Sequence, residues 1–167
     1  MLRRRVVLRS RLAVLPLVLA LLGLACGCTK AAVTAPPPKA DASVTARSGT
    51  PVLSLHVHPV EASVGETITA TVSYHNPSAK RCRFVVGASE VYNVRVTDAS
   101  GDVVFDSAPS DRPFKMAPVL IDLAPGATSS GEVEFRLKAP GDYDVVAFTN
   151  SGPQLETPPV RVVVPTQ

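Results

Sequence analysis

The sequence predicts an all-β protein built from antiparallel strands, and three observations support this fold class. From residue 52 onward, apolar and polar residues alternate with a period of two, which is typical of strands with one buried face. No segment of this region carries apolar residues at a sustained period of 3.6, the period of an amphipathic helix. Short turn sequences containing glycine or proline separate the alternating segments, at 64–66, 76–79, 124–127 and 139–142.

The alternation is clearest in two segments, 52–58 and 67–75. In the first, Leu53, Leu55 and Val57 share one face, and serine and histidine side chains occupy the other. In the second, apolar residues alternate with threonine, serine and histidine in the same way. Six further strands are predicted at 81–86, 91–98, 103–107, 132–137, 143–149 and 160–164.

The number and spacing of these segments favour an immunoglobulin-like antiparallel β-sandwich of about seven to eight strands. Tyr143 follows a Pro-Gly-Asp turn at the start of a late strand, where such domains often have a tyrosine corner. The core is expected to be aliphatic, because the chain has no tryptophan and only five phenylalanines. Residues 52–167 fit one domain of this type.

The first 25 residues have the features of a secretory signal peptide. Residues 1–11 contain five arginines and no acidic residue, and residues 12–25 are apolar throughout. This apolar segment is shorter than the roughly 20 residues that a membrane-spanning helix needs. The sequence therefore predicts that residues 1–25 are removed.

Cys26 and Cys28 each follow a small residue at the end of this segment, and both junctions resemble the lipobox of bacterial lipoproteins. Cys26 is favoured because Leu24 and Ala25 lie where the apolar segment meets the cleavage site. The resemblance implies that this cysteine carries the lipid that anchors the mature chain in a membrane of the bacterial cell envelope. The anchored protein would face the periplasm or the cell surface. The alternative is an ordinary signal peptide followed by two incidental cysteines.

The next segment is predicted to be a tether. Residues 29–51 are rich in alanine, threonine, serine and proline and have no hydrophobic period, so they cannot bury a core of their own. We therefore divide the chain into a signal peptide at 1–25, a lipidated cysteine with a disordered tether at 26–51, and the β-domain at 52–167.

The charge of the mature chain argues against nucleic-acid binding. Removal of residues 1–25 takes five basic residues and no acidic ones, which leaves 12 basic and 14 acidic residues and a net charge of −2. No dense basic patch remains to bind phosphates.

The histidines and cysteines do not predict a metal site or a cofactor. His56 and His58 lie on the same face of one strand, but a hairpin with 67–75 would place His75 about 20 Å or more from the turn. Solvent-facing histidines are the simpler interpretation, and Cys82 is expected to be a buried small apolar residue. The turn aspartates do not have the spacing of an EF-hand, and no serine has the setting of a hydrolase nucleophile. The sequence therefore predicts no enzyme activity.

The connection at 107–126 is the most irregular stretch of the domain and the candidate partner-binding loop. It contains four prolines, which reduce the entropy that a loop loses on binding. Four of its side chains are candidate partner contacts: Arg112, Phe114, Lys115 and Met116. The alternative is a crossover between the two sheets, with Phe114 packed over the edge of the core.

A series of elements between about Val72 and Ala147 has a characteristic order: Asn76, Tyr92, Gly101, Phe105, Ser107, Phe114, the segment at 123–126 and the segment at 140–143. In this order they resemble the BsuPI family of intracellular proteinase inhibitors. Departures include Asn93, where the family often has aspartate, and a valine–phenylalanine pair in place of tryptophan. The resemblance implies an immunoglobulin-like fold and inhibition of a proteinase.

Two functions follow as hypotheses. In the first, the protein binds a proteinase and inhibits it at the envelope. In the second, the same sandwich is a non-inhibitory binding or scaffolding module, since such folds serve many roles. Both require a protein partner and a membrane anchor.

Overall fold

The computed structural model describes residues 39–47, 51–87, 91–108, 118–150 and 154–166. The predicted signal peptide, Cys26, Cys28 and the four candidate loop residues lie outside this part of the chain. No described segment forms a helix, so the described residues contain no helix long and apolar enough to cross a membrane. The strands are β1 Ala42–Arg47, β2 Val52–His58, β3 Thr67–His75, β4 Cys82–Val86, β5 Asn93–Asp98, β6 Val103–Asp106, β7 Val119–Leu123, β8 Thr128–Arg136, β9 Gly141–Phe148 and β10 Val160–Val164.

The strands form two four-stranded sheets and a two-stranded ribbon, all antiparallel. The first sheet has the order β1-β2-β3-β8, the second has the order β10-β9-β5-β6, and β4 pairs with β7. This order places β2, β3 and β8 as strands A, B and E of an immunoglobulin-like sandwich, and β5, β9 and β10 as strands C, F and G. The predicted all-β sandwich is confirmed.

The core contains the aliphatic residues that the alternation predicted. Strand β3 alternates between buried and half-buried positions along its whole length. The largest fully buried side chains come from both four-stranded sheets and from β4: Tyr74, Leu53, Leu55, Ile68, Val57, Val72, Val86, Val94, Val96, Val145, Val162 and Val164. One shared core therefore fixes the two sheets face to face.

The register defines two ends of the sandwich, which we call the tether end and the loop end. At the tether end, the amide of Val60 donates to the carbonyl of Ala40 at 2.9 Å, and the amide of Gly65 donates to Leu137 at 2.8 Å. At the loop end, the amide of Asn76 donates to the carbonyl of Ala127 at 2.9 Å. The chain thus enters the first sheet at the end opposite the β3–β4 connection.

The predicted tether is wrong for residues 42–47, which form β1 and pair with β2 over six residues. Ala42 and Val44 pack against the edge of the core, so this short segment has its own alternating pattern. The folded part of the chain therefore begins before residue 52. The low hydrophobicity of the segment concealed the strand, because the ladder with β2 supplies most of its contacts.

The predicted irregular connection at 107–126 is also shorter than expected. Val119–Leu123 forms β7, whose Ile121 and Leu123 side chains are buried against the core. Strand β8 begins at Thr128, four residues before the predicted start, because it follows the nine-residue β3 along its full length. Only residues 109–117 of the connection lie outside the described segments.

The tyrosine corner predicted at Tyr143 is present. Its ring is buried, and its hydroxyl donates to the carbonyl of Ala139 at 2.8 Å, four residues upstream. This bond closes the connection between β8 and β9, as in other immunoglobulin-like domains.

Replacing Tyr143 by phenylalanine is expected to lower the free energy of unfolding by about 0.5–1.5 kcal/mol, because one hydrogen bond is lost while the ring stays buried. Urea unfolding of the mature chain measures this change. An unchanged midpoint and slope would mean that the corner bond does not stabilise the fold.

Candidate functional site

The candidate site is the loop at 109–117, and the structure describes the chain on both of its sides. Arg112, Phe114, Lys115 and Met116 all lie inside this loop, outside the described residues. The flanking residues Ala108 and Pro118 continue into β6 and β7, respectively. The geometry of these flanks decides how the loop is held.

Strand β6 and its continuation fix the first side of the loop. The hydroxyl of Ser107 accepts a hydrogen bond from the amide of Val94 at 2.8 Å, and the amide of Ser107 donates to the Val94 carbonyl at 3.0 Å. The Asp106 carboxylate accepts from the amide of Ala108 at 2.8 Å and from Nε of Arg95 at 3.2 Å. Ser107 and Asp106 thus secure the chain to β5 just before the loop begins.

The Arg95 side chain links this side of the loop to the second sheet. Its guanidinium lies over the Phe148 ring, 4.6 Å from the ring centre, where the electron-rich face of the ring attracts the positive charge. Asp106 is only 15% exposed, so its ion pair with Arg95 is partly shielded from water. The loop therefore starts from a packed strand.

The β4–β7 ribbon fixes the second side of the loop. Val119 pairs with Val86, and Leu123 pairs with Cys82, which joins the two strands along their full length. The Asp122 carboxylate accepts from Arg81 at 3.0 Å and from Arg83 at 3.1 Å on the exposed face. The chain leaving the loop is thus held by β4.

Asn76 connects the ribbon to the first sheet and is completely buried. Its Nδ2 donates to the carbonyls of Lys80 at 2.8 Å, Leu123 at 3.1 Å and Ala124 at 3.0 Å. Its Oδ1 accepts from the amide of Ser78 at 3.1 Å and from the hydroxyl of Ser78 at 2.8 Å. One side chain therefore ties the β3–β4 connection to the end of β7, and so joins two of the sequence elements that resemble the BsuPI pattern.

Three aromatic side chains pack beneath this connection. Phe84 lies edge-on to Tyr74 with ring centroids 5.2 Å apart, and Tyr92 lies 5.9 Å from Tyr74. The Tyr92 hydroxyl is 2.8 Å from Oγ of Ser129, and its ring covers Gly131 so closely that a Cβ there would lie 2.2 Å from the ring. The glycine allows the close contact between β8 and β5, and the sequence did not signal it.

Burial raises the pKa of Tyr74 to about 12, with a smaller contribution from Tyr92. The Tyr74 hydroxyl donates to the carbonyl of Val91 at 2.9 Å, which requires its neutral form.

We therefore expect Tyr74 to make stability depend on pH at high pH. In the unfolded chain its pKa is near 10, so its contribution is complete below pH 10 and is lost as the pH rises from 10 to about 12. Unfolding free energies measured from pH 8 to 12 should fall less steeply for Tyr74→Phe than for the wild type. Equal slopes would contradict this assignment.

The histidines lie on separate parts of the first sheet. Nε2 of His56 is 3.0 Å from Oδ2 of Asp41, and Nδ1 of His75 is 3.0 Å from Oγ1 of Thr128. Among the described residues, no three histidine, cysteine or acidic side chains are grouped as metal ligands would be. Cys82 is half-buried and packs against the core, so it is less buried than the sequence predicted.

Asn93, the residue that departs from the BsuPI pattern, is fully buried in β5. Its amide oxygen and nitrogen have no hydrogen-bond partner.

No protein-family model and no curated protein matches the chain. A β-glucosidase from Erythrobacter marinus is similar over 74% of this chain and 15% of its own, with 14% identity and a TM-score of 0.40. A Listeria innocua β-glucosidase is similar over 71% of this chain and 17% of its own, with 18% identity and a TM-score of 0.41. The Pseudomonas fluorescens alkylpurine DNA glycosylase AlkC is similar over 66% of this chain and 29% of its own, with 14% identity and a TM-score of 0.40. The chain spans less than a third of each of these proteins, and similarity at this level carries no functional argument. The BsuPI resemblance stays a prediction.

Proposed function

We propose that this protein is a lipid-anchored component of the bacterial cell envelope whose β-sandwich binds a protein partner through the loop at 109–117. One observation carries the proposal: both flanks of the loop are held at the loop end, whereas the tether joins the sandwich at the opposite end. Ser107 bonds to Val94, near the start of β5, and Ala40 bonds to Val60 at the far end of the first sheet.

Both flanks of the loop lie at the end of the sandwich opposite the point where the chain enters it. The nine residues of β3 run from one end to the other, a length of about 30 Å at roughly 3.3 Å per residue. With a lipid at Cys26 or Cys28, the flanks of the loop would lie at the end of the sandwich remote from the tether. A partner in the periplasm or at the cell surface can reach it there.

The rigid flanks favour binding because they limit the entropy that the loop loses when it docks. Loops held by a packed scaffold are common binding sites for the same reason. In such a loop, Phe114 offers an apolar anchor and Lys115 a basic one, the kinds of side chain that concentrate binding energy when they are buried by a partner.

Proteinase inhibition is the form of binding that the BsuPI resemblance favours. A trypsin-like proteinase would bind Lys115 in its specificity pocket, because proline after Arg112 makes that position a poor one. The test is inhibition of a panel of serine proteinases by the mature chain, by Lys115→Ala and by Phe114→Ala. Lys80→Ala is the matched control, since Lys80 is an exposed lysine at the same end of the sandwich.

Loss of inhibition in Lys115→Ala or Phe114→Ala, with Lys80→Ala unaffected, is the expected result. Inhibition that persists in both loop variants would contradict the loop assignment. If the wild type inhibits no proteinase at micromolar concentration, the inhibitor role is wrong and the non-inhibitory module remains.

The non-inhibitory alternative is favoured by β8, a nine-residue strand at the edge of the first sheet. No described strand pairs with the outer side of β8, and a partner can add a strand at such an edge.

The anchor is tested by intact-mass measurement of the protein purified from membranes. We expect a chain that begins at Cys26 or Cys28 and carries acyl groups, because two or more chains are needed for stable anchoring. Replacing both cysteines by serine should release the protein or leave the signal uncleaved. An unmodified N-terminus in the wild type would contradict the anchor.

A further inference from the structure

The tether end of the sandwich carries an exposed patch, which we call the basal patch: Val64, Val103, Val104, Arg136 and Lys138. The three valines are 44%, 56% and 47% exposed. Val104, Arg136 and Lys138 line a cavity of about 290 Å³, and Leu137 and Tyr143 also line it. The amide of Gly65 donates to Leu137 at 2.8 Å, which places the turn carrying Val64 beside the same cavity.

Local backbone geometry directs these valines outward. Val64 occupies the tip of a turn that the Glu66 amide closes on the carbonyl of Ser63 at 3.0 Å, and Gly65 supplies the required positive φ of 78°. The pairing of β5 with β6 shifts between Val96 and Thr97, which leaves Val104 as an extra residue without a register partner. Such bulges re-aim side chains at sheet edges.

The patch also carries two cations that make no ion pair with any described residue, Arg136 and Lys138. Two nearby acids are already engaged. Glu66 contacts Lys39, and the Asp98 carboxylate accepts from the amides of Ser100 and Asp102. Asp102 is exposed beside Val103 and opposes the cations, so the net attraction for anions is modest.

The tether enters the domain at the same end. Lys39 contacts Glu66 in the turn that carries Val64. Cys26 and Cys28 precede Lys39 by 13 and 11 residues, and 13 residues reach at most about 45 Å when fully extended. A lipid anchor would therefore keep the basal patch near the membrane surface. The effective concentration of the patch at the bilayer would then be high, so that even weak contacts between them form.

We propose that the basal patch docks on the membrane surface, with Val64, Val103 and Val104 entering the interfacial region and Arg136 and Lys138 contacting lipid phosphates. This inference rests on the anchor of the proposed function. Exposed apolar side chains next to cations are the combination that holds peripheral segments at a bilayer interface. Docking would fix the sandwich upright and keep the loop end facing away from the bilayer.

The experiment uses tryptophan fluorescence, because the chain contains no tryptophan of its own. The mature chain from Cys28 with Cys82→Ala is coupled through Cys28 to maleimide lipid in phosphatidylcholine vesicles, with and without phosphatidylglycerol. Single Val64→Trp and Ala79→Trp proteins are compared with brominated lipids as quenchers. Ala79 is the matched control, being exposed at the loop end.

We expect the Val64→Trp signal to fall at least twofold with brominated lipid, more with phosphatidylglycerol and less at high salt, and the Ala79→Trp signal to be unchanged. Adding Val104→Asp and Lys138→Glu should abolish the quenching while the circular dichroism spectrum is preserved. Equal quenching at both positions, or none at position 64, would overturn the proposal. So would a response of the Val64→Trp signal to a soluble acidic peptide but not to vesicles.

The coupling makes this test independent of natural lipidation. Acyl groups found by mass together with no quenching would leave the anchor intact and refute docking. Quenching without natural acyl groups would support docking and refute the anchor.

Discussion

Phe135→Ala is expected to lower the free energy of unfolding by about 3–5 kcal/mol, the usual cost of truncating a buried phenylalanine. Phe135 is 4% exposed and stacks on Phe105 with ring centroids 5.3 Å apart. The two rings join β8 of the first sheet to β6 of the second. Removal of the Phe135 ring therefore removes the contact between the sheets at this edge of the sandwich.

Urea unfolding of the mature chain, followed by circular dichroism, measures this effect. The matched control is Val103→Ala, which removes an exposed side chain on β6 and should change the free energy of unfolding by less than about 0.5 kcal/mol. A loss below about 1 kcal/mol for Phe135→Ala would mean that the ring does not carry the packing between the sheets.

Asn76→Ala is expected to cost about 2–4 kcal/mol, because it leaves the buried carbonyl of Leu123 and those of Lys80 and Ala124 without this donor. The change should also loosen the β4–β7 ribbon, which holds one side of the loop. Asn76→Ala should therefore accelerate the hydrogen exchange of backbone amides in β7 more than that of amides in β9.

Ser78→Ala is the control for Asn76→Ala, because it removes the hydroxyl donor to Oδ1 while leaving the three carbonyl bonds in place. We expect a loss of about 1 kcal/mol. Equal losses in the two variants, or unchanged exchange in β7 for Asn76→Ala, would contradict the role of Asn76 as the connection between the ribbon and the first sheet.

The strands with a strong alternating pattern could be predicted from the sequence. The bounds of β2, β3 and β10 match the predicted segments 52–58, 67–75 and 160–164, because apolar residues occupy every second position of each segment. The corner at Tyr143 was also predictable, since the turn before it and its place at the start of a strand are local signals.

Strands whose side chains are short or polar could not be predicted in this way. Strand β1 and the first half of β8 consist largely of alanine, serine and threonine, and they are strands because longer neighbours pair with them. Asn76 donates to the carbonyl of Leu123, 47 positions away in the sequence, and Gly131 packs against the ring of Tyr92, 39 positions away. Such long-range partners have no local signature.

The measurement that tests the central claim most directly is site-specific photo-crosslinking in the native envelope. A photoreactive residue at position 115 should form a discrete adduct with one envelope protein, and excess soluble mature chain should compete with it. The same residue at position 43, on the exposed face of β1, should form no such adduct. Absence of a competed adduct at position 115, or the same adduct at both positions, would contradict binding through the loop.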